Sequence, residues 1–212
     1  PLVDGNGDPV TVLDPADGVT RMPVSSLLDL QASNTRIYEA RYGMTQEWAQ
    51  QLHDLGYDDQ LVIQYDRLSS DPVLNLGQLR GQAAGSEAES FHFVLDNTVV
   101  SDNRIPPWGM EYESARQRNI LPAPADQYDG NPQEDFRYFD VVALNPPAGA
   151  ARGEIRLLYQ PTSWEYIQFL ALANDGSVAF LKDEGDSLLQ AWLHTGMAEP
   201  HEMANATWTP AD

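Results

Sequence analysis

Histidine is the scarce chemistry-bearing residue of this chain, with four in all: His53, His92, His194 and His201. Imidazole titrates near neutral pH and is the commonest protein ligand for metals, so each one is weighed as a ligand or proton carrier. His194 and His201 flank Gly196, with Met197 and Met203 beside them. Two imidazoles and two thioethers make a soft-donor set suited to copper. His92 stands between Phe91 and Phe93, on the strand face opposite two rings. Together, His92, His194 and His201 are the candidates for copper ligation or for axial ligation of a haem carried by another polypeptide. His53 sits beside acidic residues on a short helix and reads as plain surface. Asp4-x-Asn6-x-Asp8 has the spacing of the first half of a calcium loop. However, Pro9 stands where that loop requires glycine, and Pro15 holds the place of its terminal glutamate. A hairpin turn fits these residues better, with calcium on Asp4, Asn6 and Asp8 as the alternative. Arg104, between Asp102 and the rigid Pro106-Pro107, is suited to bridging carboxylates or haem propionates.

Other chemistries find no handle. The 212 residues contain no cysteine, which excludes disulfides, thiolate metal sites, a cysteine nucleophile and covalent C-x-x-C-H haem attachment within them. No Gly-x-Ser-x-Gly elbow, P-loop or G-x-G-x-x-G string is present. Asp58-Asp59 and Asp183-Glu184 read as solvated surface, while spatially paired carboxylates of the glycosidase kind stay open because sequence hides such pairing. With 32 acidic against 12 basic residues, the formal charge is -20. Nucleic-acid affinity rests on cations neutralising phosphates, so DNA and RNA are poor partners. Eleven of the twelve basic residues are arginine, leaving Lys182 as the one lysine, a composition suited to solubility by net repulsion. No stretch approaches the ~20 apolar residues of a transmembrane helix. The chain opens Pro1-Leu2-Val3 without a signal-peptide pattern, and this abrupt start is read as a processed or partial chain.

The elements that must position these residues are mainly β. Leu2-Val3 and Val10 to Leu13 flank the Asp4–Asp8 turn as a hairpin. Alternation and β-branched content predict strands at Arg36–Tyr42, Gln60–Arg67, Ser90–Asp96, Arg137–Leu144 and Glu154–Gln160, with a weak strand near the C-terminus. Thr45 to Leu52 reads as a capped short helix with Trp48 and Leu52 paired at i,i+4. Two further helices, one capped by Ser163 and ending near Gly176, the other running from Asp186 to Gly196, close the sequence. The aromatic run from Leu157 to Leu170 suits core packing. Ala83–Glu89 reads as loop, and Pro106–Asp135 is a long irregular segment of the kind that carries function or meets a partner. This order predicts one β-sandwich-like domain over residues 1–212, with long irregular loops and two or three short helices, two of them near the C-terminus.

Several strings, taken together and in order, resemble one family. Asp102-Asn103-Arg104-Ile105-Pro106-Pro107-Trp108-Gly109 is similar to the D-N-R-I-P-P-x-G string in the haem-free C-terminal regions of multihaem c-type cytochromes. Arg36-Ile37-Tyr38-Glu39, Phe93-Val94-Leu95-Asp96-Asn97, Leu158-Tyr159-Gln160-x-Thr162-Ser163-x-Glu165-Tyr166-Ile167-x-Phe169-Leu170 and Trp192-Leu193-x-Thr195-Gly196 resemble neighbouring segments of those regions. The resemblance spans residues 36 to 204. It implies a haem-free structural or docking module of an extracytoplasmic multihaem cytochrome c, located in the periplasm, at the cell surface or secreted. Such a module packs against the haem-bearing portion or subunit and supports electron transfer, and is not an enzyme on its own. Family members carry haem motifs and a G-H-K-x-P-T-G-like strand upstream of a D-x-x-G-N hairpin; here the hairpin at Asp4–Val10 has neither before it. The resemblance therefore implies the C-terminal part of a longer protein, with a partner segment covering the open sheet edge. Haem c is expected on that partner and no covalent cofactor here, within an oligomer or larger assembly. The rival expectations are a secreted copper- or calcium-binding β-sandwich protein and, with no selective feature, a hydrolase or sugar-binding sandwich.

Overall fold

A computed structural model describes residues 1–26 and 35–209. Among these residues are nine strands and five helices, in four small sheets of two or three strands each. This content is compatible with a mainly-β fold, but the sheets do not form a clear sandwich. The chain divides into two compact units: unit 1 is Pro1–Thr35, Tyr65–Asp71 and Leu144–Asp212, and unit 2 is Arg36–Gln64 and Pro72–Ala143.

Unit 1 begins with the expected hairpin. Leu2, Val10 and Val24 are stitched by backbone bonds, Val10 N–H to Leu2 O at 2.8 Å and Val24 N–H to Val10 O at 2.9 Å. β1 (Thr11–Leu13) pairs antiparallel with β2 (Arg21–Pro23). The three stitched side chains are buried with Trp164, Ile167, Leu189, Trp192 and Leu193. Two helices supply the latter five. Their apolar residues recur at helical spacing, so each helix turns one stripe inward. α4 is Trp164–Leu172 and α5 is Glu184–His194, and the Trp164 and Trp192 rings meet at 5.5 Å. Gly185, near the start of α5, permits close approach to α4: a Cβ there would lie 3.0 Å from Asn174 Cβ and 3.1 Å from Leu170 O. β8 (Gly153–Tyr159) and β9 (His201–Trp208) form a long antiparallel ribbon, with a register irregularity between Leu157 and Leu158.

Unit 2 is built around β3 (Ala40–Thr45), which lies between β6 (Glu87–Glu89) and β7 (Thr98–Asp102). Gly43 is required there, since a Cβ would fall 2.0 Å from Ala88 O across the β3–β6 ladder. β3 leads directly into α1 (Gln46–Asp54), where Thr45 accepts from Trp48 N–H as the sequence predicts. β4 (Val62–Tyr65) and β5 (Pro72–Asn75) pair as a hairpin, and α2 (Leu76–Arg80) starts with a complete Asn75–Gln78 capping box. Met44, Ala49, Leu52, Ile63, Leu76 and Leu79 form its main core. A smaller cluster joins Ala115 of α3 (Tyr112–Gln117) to Tyr128 and Phe136.

Several predicted boundaries move. The first strand of unit 2 begins at Ala40, because Ile37 and Glu39 spend their backbone groups on the Asn103 side chain. Ser90–Asp96 is a turn, not a strand: the N–H groups of Leu95 and Asp96 both donate to His92 O. Arg137–Leu144 has no ladder; Asp140 binds its own neighbour Val141 N–H and the Tyr38 hydroxyl, a local alternative to sheet pairing. Ser163 precedes α4 without a side-chain cap bond. Within the two segments read as loop, Glu87–Glu89 is strand and Tyr112–Gln117 is helix. The weak C-terminal strand is the eight-residue β9.

Candidate functional site

The segment Asp102–Gly109 is anchored in unit 2 by one amide side chain. Asn103 Oδ1 accepts from Glu39 N–H at 2.7 Å and its Nδ2 donates to Ile37 O at 2.8 Å, while its backbone N–H reaches Glu39 O at 3.1 Å. The Tyr128 hydroxyl donates to Asn103 O from the other side. Arg104 forks onto Asp102, Nε to Oδ1 at 2.9 Å and a terminal nitrogen to Oδ2 at 2.6 Å. That bidentate pairing raises the arginine pKa and occupies the guanidinium locally, so the predicted carboxylate partner of Arg104 is its own neighbour. Beyond the prolines, Trp108 is 82% exposed. Arg36 and the Tyr38 hydroxyl converge on Asp140, which holds that carboxyl below its ordinary range.

Next to this segment lies a cleft of about 430 Å³ lined by Tyr42, Phe93, Asp96, Asn97, Thr98, Val99 and Asn119. β3 contributes Tyr42, the turn after Ser90 contributes Phe93 and Asp96, β7 contributes Thr98 and Val99, and the chain leaving α3 contributes Asn119. Asn97 fixes the turn by accepting from Thr45 N–H at 3.0 Å and donating to Thr45 Oγ1 at 3.2 Å. Trp48 fixes it again, its Nε1–H bonding Leu95 O at 2.6 Å. Asp96 is thereby held with both carboxylate oxygens shielded and without a hydrogen-bond partner of ordinary length. Burial lifts its pKa from 3.8 to about 6, opposed only by the nearby Ser90 hydroxyl.

His92 belongs to unit 2 and His194 and His201 to unit 1. His92 is half-buried in the turn instead of facing solvent from a strand, with Nε2 3.1 Å from Val62 O; burial lowers its pKa. His194 Nε2 meets the buried Asp14 carboxylate at 2.7 Å, with Asp14 Oδ1 also accepting Ala16 N–H. One of the two His194 ring nitrogens is thereby engaged by a carboxylate. His201 opens β9 on the surface, Met197 packs against the unit 1 core and Met203 is exposed. His53 Nδ1 lies 3.0 Å from Asp59 Oδ1, a hydrogen-bonding partner its surface placement did not reveal. The Asp4 carboxylate accepts the N–H groups of Asn6 and Asp8 on Oδ1, closing the hairpin turn. Among the described residues, no group of three or more histidine or acidic side chains is placed to hold a metal ion.

Asp96, Tyr42 and Asn119 escaped the sequence reading. Their signal is weak, since three stretches distant in sequence assemble the cleft and an acidic residue is unremarkable in so acidic a chain. Among the described residues, no helix is long and apolar enough to cross a membrane. Comparison of the chain with family models, curated proteins and solved structures finds no match.

Proposed function

We propose that the chain is a haem-free structural and docking module of an extracytoplasmic multihaem cytochrome c. In this reading it packs against the haem-bearing portion, on the same polypeptide or a partner subunit, and supports electron transfer without holding a haem itself. The observation that supports it is where the cytochrome-like strings fall. In unit 2, Asp102–Gly109 is locked to Arg36–Glu39 through Asn103, and Phe93–Asn97 is locked to the β3–α1 junction through Asn97 and Leu95. In unit 1, Trp164 and Ile167 pack with Trp192 and Leu193, and Gln160 Nε2 donates to Ala198 O at 3.2 Å. The resembling strings thus include residues that tie each unit together, as expected if they belong to the framework of a shared fold.

The acid-rich surface and the exposed Trp108 and Phe180 then serve as surface toward solvent and partner. The test is affinity purification of the chain from its native source, followed by a pyridine haemochrome assay of the eluate. Haem in stoichiometric amount, on a covalently modified peptide, supports the module. A haem-free eluate with no haem-bearing partner overturns it.

A further inference from the structure

The ribbon of β8 and β9 in unit 1 leaves one edge of β8 unpaired. Among the described residues β8 has no strand partner but β9. Both of its faces meet solvent: Glu154 and Arg156 are exposed on one, and Ile155 and Leu157, at 43% and 51%, on the other. An isolated two-stranded ribbon is marginal in water, and an unpaired edge carrying apolar residues without proline or lysine is a template for a further strand. The register with β9 runs without interruption from Gly153 to Leu157 and shifts only beyond it. Ile155 is the midpoint of that regular run, Gly153-Glu154-Ile155-Arg156-Leu157.

This run is complementary to its own reverse. An antiparallel copy centred on Ile155 sets Glu154 opposite the partner's Arg156, Gly153 opposite the partner's Leu157, and Ile155 opposite the partner's Ile155. Opposite charges facing across a strand pair are favourable and like charges are not. The glycine leaves room for the leucine that faces it, and the arrangement closes on a two-fold axis in which each off-axis contact occurs twice. Within one copy Arg156 forks onto Glu154, Nε to Oε1 at 2.9 Å and a terminal nitrogen to Oε2 at 2.8 Å. The pair therefore lies side by side on one face, where the partner's Arg156 and the partner's Glu154 extend it into a row of alternating charge. The run has no net charge in a chain of formal charge -20, so it offers a basic strand no excess of acid. We propose that β8 is a self-association edge: two copies of the chain pair their β8 strands antiparallel about Ile155, joining two ribbons into one four-stranded sheet.

The test is analytical ultracentrifugation of the whole chain at about 0.15 M salt, where exposed charges more than ~8 Å apart are largely screened. So short an edge contact is at the small end of protein interfaces, and a submillimolar dissociation constant is expected. Arg156→Glu and Glu154→Arg should each weaken the dimer at least about tenfold by setting like charges opposite one another. An equimolar mixture of the two variants, in which every facing pair is again opposite in sign, should regain wild-type association. Mixing cannot repair a charge pair lost within one copy, so recovery reads the contact between copies. A second measurement uses the absence of cysteine from the chain. Ile155→Cys places two thiols on the two-fold axis, within the ~4.4–6.8 Å Cα separation that a disulfide spans. Oxidation with diamide should cross-link it at least about tenfold faster than Glu154→Cys, whose thiols lie off the axis. If the charge variants do not fold, as read by near-ultraviolet circular dichroism, the cysteine comparison decides alone. A wild type that stays monomeric to about 1 mM leaves the edge to a strand of another protein and overturns the proposal. Folded charge variants that associate undiminished, a mixture no better than its components, or equal cross-linking of the two cysteine variants would overturn it as well.

Discussion

Replacing Asn103 with alanine isolates the joint that holds the Asp102–Gly109 segment in unit 2. The substitution removes two short bonds, 2.7 Å from Glu39 N–H and 2.8 Å to Ile37 O, and leaves a donor and an acceptor unpaired. A buried unpaired group costs about 1–3 kcal/mol, and partial water access at these part-buried sites places each in the lower half of that range. For the two groups together the expected loss is therefore about 2–4 kcal/mol. The backbone bond from Asn103 N–H to Glu39 O survives, so the defect should stay local. Urea denaturation gives the global loss, and amide hydrogen exchange at Glu39 gives the local one. Asn131→Ala, which removes exposed bonds to Glu134 and Gln133 N–H, serves as the control and should cost no more than about 0.5 kcal/mol. If Asn103→Ala costs as little as the control and Glu39 keeps its protection, the joint is not what holds the segment.

The same structural logic yields further outcomes. Asp96→Asn should change how stability depends on pH. The folded-state pKa is raised from 3.8 to about 6, so the stabilising protonated form is fully populated below the lower value and lost as pH rises through the upper. The variant should match wild type near about pH 4 and exceed it by about 1.5 kcal/mol near about pH 8, after halving the full shift for solvent screening; denaturation at both pH values measures this. Gly43→Ala should cost about 3 kcal/mol or prevent β3–β6 pairing, because its Cβ would lie 2.0 Å from Ala88 O; thermal melting reads it. Trp164→Leu should cost about 3 kcal/mol in the same assay, losing the stack on Trp192 and the 2.8 Å bond to Arg67 O.

Much of the local structure was legible because its cause is local. Thr45 before an apolar i,i+4 pair specifies α1, and the stripes of Trp164, Ile167, Trp192 and Leu193 specify the α4 and α5 core faces. The Asp4–Asp8 turn was legible for the same reason. Sheet assembly was not. Strand pairing depends on partners distant in sequence, and Ser90–Asp96 and Arg137–Leu144 have strand-like composition but satisfy their backbone groups locally or outside any ladder. The long-range joints are equally hidden: nothing in the sequence says that Asn103 bonds Ile37 and Glu39, or that Asp14 holds His194 across the length of the chain. The Asp96 cleft stayed invisible because its carboxyl matters through burial, not through its identity.

Zero-length carbodiimide cross-linking of native material, followed by peptide mass mapping, reads which polypeptide the chain packs against. Abundant carboxylates on this chain make it reactive toward any amine-bearing neighbour. Under the proposed docking role, cross-linked pairs are expected to join Asp or Glu residues of this chain to peptides that carry thioether-bound haem. Cross-links confined to the chain itself, or to haem-free partners in material without haem absorbance, would contradict it.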